Sequence, residues 1–548
     1  MKKKTIIAIA TLFCFGQGVW ADGTVSFPLH YDEVTNPEDG SADHPYQIQS
    51  VSDLNTLASD VNSGTDYSGK CFKLTTDLDY SKVVLTDGSN FTPIGTVDDN
   101  QYDVPFKGIF DGSNCTISGI IVNKSEEIYI GLFGCVQYAT IKNINLSNCK
   151  FTGNWHVGGI VGYGEGSSTD PAFIENCNVD EKVEVKGVEL KYTDDESGEE
   201  QTLSGTNVGG IIGSCKIGLT VRDCTSKAKV TGDEAVGGIV GLFTGTNSTH
   251  SVLTNSFYLS DDSNIVSTGT KGLVVGEIKP DETLNVVATD INLTLLDNDS
   301  EAAISNATRL SNYNGLEANV TISGRKLYKD DSWNTLCLPF GMTAAQVTAQ
   351  LAPTKLMTLS EATFDDGTLT LNFADATEGI VAGKPYIIKW TSGEDITPTF
   401  EGVTVSSTDP TDVEGTAANF HGIYSPYSTG GENKSMLYLG ASNTLYYPSK
   451  NMTINAFRAY FTLNNGIKAG DPDTTPEGGS SQVRAFVLNF GDESTGIMSL
   501  STDSKHSKDN ATWYDMQGRR LSGVGAGPVP ARLRTGIYIN NGKKVVIK

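Results

Sequence analysis

The chain of 548 residues carries 65 acidic against 40 basic side chains, a formal net charge of −25. Such acidity disfavours nucleic acid and anionic membrane as partners and favours solubility; it allows calcium without implying it. The length leaves room for two to four domains.

Met1-Lys2-Lys3-Lys4, the apolar run Ile6 to Phe15 and then Val19-Trp20-Ala21 read as a secretory signal (1–21) cleaved after Ala21. Phe13 ahead of Cys14 is too large for a lipoprotein cleavage box, and no other run is long enough for a membrane-spanning helix. The expected location is secreted or on the outer cell surface, with eight cysteines left after processing. A polar, acidic, flexible N-terminus is expected over 22–45. Leu54, Leu57, Ala58 and Val61 then recur at helical spacing, with Ser50 or Ser52 as N-cap and Asn62-Ser63-Gly64 as the stop. First strands are predicted around Lys70 to Asp79, Pro93 to Gly95, Phe106 to Gly112 and Cys115 to Val122.

From Ile130 one phrase recurs: Ile-Gly-Leu-Phe-Gly, then Val-Gly-Gly-Ile-Val-Gly from Val157, Val-Gly-Gly-Ile-Ile-Gly from Val208 and Val-Gly-Gly-Ile-Val-Gly from Val236. The glycine pairs are Gly131/Gly134, Gly159/Gly162, Gly210/Gly213 and Gly238/Gly241, at spacings of 28, 51 and 28 residues. A constant period with one insertion marks a repeat architecture rather than one globular core. Eleven to fifteen residues beyond each glycine comes Leu146-Ser147-Asn148-Cys149, Ile174-Glu175-Asn176-Cys177, Val221-Arg222-Asp223-Cys224 and Leu253-Thr254-Asn255-Ser256. Stacked parallel strands produce such columns of like residues, so Asn148, Asn176, Asp223 and Asn255 are expected in single file, passing amide hydrogen bonds along it. Cys149, Cys177, Cys224 and Ser256 read as small buried core residues. The disulfide state of Cys71, Cys115, Cys135, Cys215 and Cys337 stays open. The glycines suit corners needing positive φ or close backbone approach.

These repeats resemble the GLUG-motif repeats of bacterial surface and secreted proteins of Bacteroidota type, and the helix and strands ahead of them resemble the usual lead-in. The resemblance implies an all-β chain whose 46–284 form a right-handed parallel β-helix (solenoid) with a short N-terminal capping helix. Within it, about Asp180 to Gly205 reads as an inserted hairpin with an acidic tip at Asp194 to Glu200, and Gly272 to Gly276 as a last degenerate coil.

Over 285–490 short strands without a fixed period predict an antiparallel β-sandwich; Trp333 to Phe340 resembles segments of large exported Bacteroidota-type proteins. Residues 491–510 read as a linker. In 511–548, Trp513 to Leu521, Gly536 to Asn540 and Lys543 to Lys548, with an Asn541-Gly542 corner, form a small C-terminal β module. This module resembles the sorting domain of type IX secretion substrates, with an insertion from Gly523 to Arg534 departing from that pattern.

Catalytic signatures are absent from the sequence: there is no HExxH, GxSxG or phosphate-binding GxxxxGK[ST], and no zinc spacing. The histidines look isolated, and Glu175 beside Arg222 reads as a cross-strand ion pair. His156 next to Trp155 suits a sugar-stacking surface or a packed corner, while Asp471 to Glu477 reads as a solvated loop. The expectation is a non-catalytic, adhesin-like or ligand-binding protein with no cofactor and no metal, whose partner is a host or environmental glycan or protein. The alternatives are a carbohydrate-active β-helix enzyme, polysaccharide lyase or hydrolase, and a structural spacer.

Overall fold

The computed structural model describes residues 38–97, 103–193, 199–246, 248–280, 289–470, 481–491, 493–502, 513–514, 536–540 and 543–547. The signal segment with Ala21, most of the N-terminal stretch, the acidic tip at 194–198, the loop 471–480, the Gly523 to Arg534 insertion and the Asn541-Gly542 corner lie outside the described residues. The chain is mostly β, with many parallel strands. Among the described residues five long sheets, I to V, contain ten, six, five, five and five strands.

The chain visits the five sheets in the same order again and again. One such tier is Thr140–Lys142 in sheet I, Asn145–Ser147 in II, Lys150–Gly153 in III, Trp155–Gly158 in IV and Val161–Glu165 in V. Each strand pairs in parallel with its counterpart one tier on: Ile141 with Ile174, Ile174 with Val221, Val221 with Leu253, Leu253 with Ile291. These side chains are buried, so an apolar column runs through the centre, each residue packing on its own kind about 4.8 Å away. The tiers run from Ile109–Asp111 to Val275–Ile278, and the segment from Lys271 to Ile278 completes the last of them.

The register corrects the expected columns. Leu146 lies in sheet II opposite Val179 and Ile117, whereas Ile174, Val221 and Leu253 lie in sheet I opposite Ile141. The file is therefore Asn143, Asn176, Asp223 and Asn255, and the buried file beside it is Ile144, Cys177, Cys224 and Ser256, small in all tiers but the first. Asn148 and Cys149 belong to the next corner, level with Gly119 and Ile120. The cause is the link between sheets V and I: from glycine to sheet I strand it measures 7, 12, 8 and 12 residues in successive tiers (Gly134 to Ile141, Gly162 to Ile174, Gly213 to Val221, Gly241 to Leu253). Counting a fixed distance from the glycine lands one corner too late in the tier with the shortest link. A smaller slip affects Gly131, which stands level with Gly158 because its corner is one residue shorter, while Gly159, Gly210 and Gly238 share one level.

Asn143, Asn176, Asp223 and Asn255 all take left-handed backbone, φ 57°, 48°, 54° and 44°, a conformation that Asn and Asp tolerate better than other non-glycine residues. Asn176 Nδ2 donates to Asn143 Oδ1 (2.8 Å) and Asn114 Oδ1 (3.2 Å), and Asn143 Nδ2 to Asp111 Oδ1 (2.9 Å). The motif glycines serve close approach rather than positive φ: a Cβ on Gly158 would lie 1.9 Å from the Val161 carbonyl oxygen, and one on Gly213 2.5 Å from the Val157 nitrogen.

Both ends of the tiers meet helices. Helix α1, Val51–Asn62, is capped by Ser50 and buries Leu54, Leu57, Ala58 and Val61; Asn62 donates to the Pro93 carbonyl and accepts from Gly95 N–H. Helix α2, Asn306–Tyr313, was not foreseen. It closes the last strand of sheet II, where Tyr258 N–H donates to Asn312 Oδ1 (2.6 Å) and Ser256 N–H to the Tyr313 hydroxyl (3.2 Å). Side chains on α2 thus satisfy backbone groups that a further strand would otherwise meet.

Sheet I does not stop near residue 284. Thr289–Leu296 and Glu317–Ser323 extend it in parallel, and Thr399–Thr404 adds an antiparallel strand, so the expected boundary falls inside one sheet. Beyond it a six-stranded sheet (Asn334–Cys337 to Met498–Ser499) and a five-stranded one (Ala418–Gly422 to Ser501–Thr502) share an apolar cluster containing Leu371, Phe373, Phe420 and Phe461. Helix α3, Ala344–Gln350, also unforeseen, begins with a Thr343/Gln346 capping box. The pairing is not wholly antiparallel: Thr368–Asp375 runs parallel to Ala485–Asn489, and Leu445–Tyr447 to Ser501–Thr502. The stretch expected as a linker supplies two of these strands, because Leu500 is buried in the shared cluster. Trp513–Tyr514, Gly536–Asn540 and Lys543–Ile547 form a three-stranded antiparallel sheet.

The inserted segment is shorter than expected. Val183 and Val185 are buried, and Glu184–Gly187 is the sheet III strand paired with Lys150–Gly153; only Leu190–Thr193 and Glu200–Leu203 leave the tiers as an antiparallel hairpin. The eight cysteines from Cys71 to Cys337 are all unbridged, with Cys149, Cys177 and Cys224 fully buried. Replacing Asn176 by Val should remove two ladder hydrogen bonds and force a β-branched residue into left-handed backbone, at a cost of about 1–3 kcal/mol. Asn176→Gly should lose less; urea unfolding of the two variants against the parent chain checks the order.

Candidate functional site

Sheets IV and V meet along a groove of about 1200 Å³. Its floor is built from three in-register columns. On sheet IV, Ile128, Trp155, Thr206 and Glu234 form one, and Tyr129, His156, Asn207 and Ala235 the next. On sheet V the third contains Tyr163, Ser214, Leu242 and Glu277. The links from sheet V to sheet I border the groove with Lys216, Ile217 and Thr244 to Thr246.

The middle column takes left-handed backbone at every tier: Tyr129 at φ 62°, His156 at 55°, Asn207 at 58° and Ala235 at 50°. A strand with one left-handed residue twists locally, as at a bulge, so its neighbours turn toward the groove. Here the column is not uniform Asn, and the tolerance comes from packing. The Tyr129 and Tyr163 rings stack at 4.9 Å, and Trp155 stacks on His156 at 4.5 Å. Trp155 remains 45% exposed, its outer side free for an apolar partner.

Polar groups behind the aromatic rings are tied into a network. The Tyr163 hydroxyl donates to Glu165 (2.9 Å), and Gln137 donates to the other oxygen of that carboxylate (2.7 Å). Burial pushes the Asp103 carboxyl above its ordinary range, opposed by a hydrogen bond from Tyr129; burial, then the charge of Asp103, raises the Tyr129 hydroxyl. Lys216 Nζ sits 5.7 Å from the Tyr163 ring centroid, a cation over a π face. His156 is pushed down to about 3 by burial and, secondly, by the Lys216 ammonium. It is therefore neutral near pH 7. Its Nδ1 lies 3.3 Å from Asn207 Nδ2; with the amide as donor, the imidazole proton sits on Nε2.

Of the residues singled out in the sequence, Trp155 and His156 line the groove. Asn143's file and the cysteines stand elsewhere: Asn176, Asp223 and Asn255 at the corner between sheets I and II, Asn148 between II and III, Cys149, Cys177, Cys224 and Ser256 in the interior. Glu175 and Arg222 form an ion pair at 2.7 Å on the outside of sheet I. Tyr129, Tyr163, Lys216, Glu234 and Glu277 are not among the sequence expectations, although Tyr163 and Glu277 each directly follow the last glycine of a Gly-rich phrase. Nor are the histidines all isolated: His421 lies between Asp412 (2.7 Å), in the segment before its own strand, and Thr462 on the neighbouring strand. Among the described residues no cluster of three or more His, Cys, Asp or Glu is placed to hold a metal ion, and no helix is long and apolar enough to cross a membrane.

The lowered His156 value has a stability consequence with a definite sign. Between its ordinary value of 6.5 and about 3, the unfolded chain binds a proton at this residue that the folded chain refuses. Stability therefore falls as pH drops through that window and is insensitive to this group below it. His156→Asn keeps a residue suited to left-handed backbone but does not titrate, so its loss of stability between pH about 7 and about 4 should be smaller than that of the parent chain. Chemical unfolding at the two pH values measures the difference.

No protein-family model matches the chain. Halomucin of Haloquadratum walsbyi is 34% identical over 132 residues, covering 23% of this chain and 1% of that protein. A protein of Evansella cellulosilytica named "Putative Gly-rich membrane protein" is 27% identical over 115 residues, covering 21% of this chain and 12% of its own length. The chain thus spans only a small fraction of either relative. Among solved structures, a "putative immunoglobulin A1 protease" from Bacteroides ovatus superposes with a TM-score of 0.33 at 20% identity, over 46% of this chain and 66% of that one.

Proposed function

We propose that the chain is an exported or cell-surface, non-catalytic, adhesin-like protein that binds a glycan in the groove between sheets IV and V. The observation that carries this reading is the groove floor, where an exposed Trp155 and stacked tyrosines adjoin hydroxyl, amide and carboxylate side chains. Sugar recognition asks for that combination: an aromatic face for the C–H surface of a ring, and polar groups for its hydroxyls.

In this reading the tiers wind as a parallel β-helix, right-handed by the rule that governs crossovers between parallel strands. The GLUG-type resemblance of the repeats, a β-sandwich after them and a sorting-like C-terminal module belong to the same proposal. So does surface location, with which the word membrane in one relative's name agrees. The ion pair of Glu175 with Arg222 supports a structural role for that acid.

A glycan array probed with the purified chain, run beside a polysaccharide-degradation screen, tests the proposal. Binding without turnover is expected. Depolymerisation of any bound glycan would make the groove an active site and overturn the non-catalytic assignment, and an array with no bound glycan would overturn the ligand class.

A further inference from the structure

The columns that floor the groove repeat at the spacing of parallel strands. Its lining reaches from Tyr129 in one tier, through those of Trp155, Asn207 and Glu234, to Glu277 and Lys279. Those four steps of about 4.8 Å make a run of about 19 Å. One step is close to the length of a single pyranose unit in an extended chain. A linear sugar polymer laid along the direction of tier succession therefore meets equivalent backbone positions ring after ring, whereas a polymer laid across the sheets meets a floor only a few residues wide.

The side chains change in a definite order along that run. Tyr129 and the exposed Trp155, over buried His156 and Tyr163, make the first two tiers aromatic; Thr206, over buried Asn207 and Ser214, makes the third uncharged; Glu234 and then Glu277 bring carboxylates to the fourth and fifth. Carboxylates accept hydrogen bonds from sugar hydroxyls and repel sugar acids. The available cations do not reverse that preference. Lys279 Nζ already lies 3.7 Å from Glu277, Lys216 sits over the Tyr163 ring, and the chain as a whole carries −25.

The link Thr244 to Thr246 borders the groove. At the aromatic end Asn154, adjacent to Trp155, donates to the carbonyls of Val188 (2.8 Å) and Leu203 (3.2 Å), fixing both feet of the inserted hairpin. That hairpin carries Tyr192 and Leu203 at 42% and 46% exposure. We infer that the groove takes a neutral glycan running along the tier direction, one sugar ring per tier, with its best-stacked ring on Trp155. This inference rests on the glycan-binding reading of the groove and adds orientation, charge and length to it.

Titration calorimetry of the purified chain with neutral gluco-oligosaccharides of increasing length, and with uronate oligosaccharides of matched lengths, tests it. Affinity for the neutral series should rise with each added ring and level off near about five, the number of tiers spanned at about 4.8 Å each, with uronates weaker throughout. Trp155→Ala should weaken all lengths by on the order of tenfold. Glu234→Ala should weaken only oligomers long enough to reach its tier, a pattern that general misfolding does not produce. Binding that is flat with length, tighter for uronates, or unaffected by either substitution overturns the inference while leaving glycan binding intact. If no member of either series binds and the glycan array is also blank, the underlying reading falls with it.

Discussion

In-register parallel pairing is the constraint on which the rest depends. Because Ile141, Ile174, Val221, Leu253 and Ile291 face one another directly, whatever residue one tier places at a position must tolerate the choice of the next. Inside, this favours like apolar side chains. Outside, it favours complementary ones: Lys142 with Asp111 (3.6 Å), Glu175 with Arg222 (2.7 Å), Lys150 with Glu184 (3.1 Å). Each exposed pair stabilises little by itself. Like charges at the same positions would oppose stacking at every tier, so the alternation matters more as the absence of a penalty than as a bond.

The corners divide their needs between two kinds of residue. Positive φ is carried by Asx side chains where the corner faces solvent, and these repay the backbone strain by bonding to one another, as Asn176 does to Asn143. Close approach is carried by glycine, where any Cβ would strike a neighbouring backbone, as at Gly158 and Gly213. On sheet IV the left-handed position is held instead by Tyr129 and His156. Tyr has little intrinsic liking for that conformation and His somewhat more; Tyr129 stacks on Tyr163 and His156 on Trp155. Tyr138 and Phe457 take the same conformation elsewhere, so this column is set apart by its stacked rings rather than by its backbone.

The period, the capping helix with its four buried apolar residues, and the strand character of the repeats were all legible, because each rests on local spacing that folding preserves. Register was legible only in part. Two corners of the same tier share one local grammar, apolar, polar, Asx, small or apolar, so Leu146-Ser147-Asn148-Cys149 and Ile141-Lys142-Asn143-Ile144 are equally good matches until the variable link after sheet V is known. For the same reason Val183 to Gly187 looked like part of an insertion, although its alternation is that of a sheet III strand. Helix α2 escaped notice because its buried Asn306, Asn312 and Tyr313 are chosen to bond strand edges rather than to form an apolar stripe. The run from Met498 to Thr502 reads as polar linker until Leu500 is seen in the shared cluster.

The groove was the least legible feature, and the reason bears on what it does. Columns that exist to stack look alike from tier to tier: Ile, Ile, Val and Leu in the core, Asn, Asn, Asp and Asn at the corner. The groove columns do not. Ile128 gives way to Trp155, Thr206 and Glu234, and Tyr163 to Ser214, Leu242 and Glu277, at positions where the backbone pairing is as regular as anywhere else. Complementary charge accounts for differences such as Lys142 against Asp111, but no such pairing links Trp155 to Thr206 or Tyr163 to Ser214. On the glycan reading proposed above, a ligand lying across several tiers supplies the reason for these, since each of its rings would meet a different requirement.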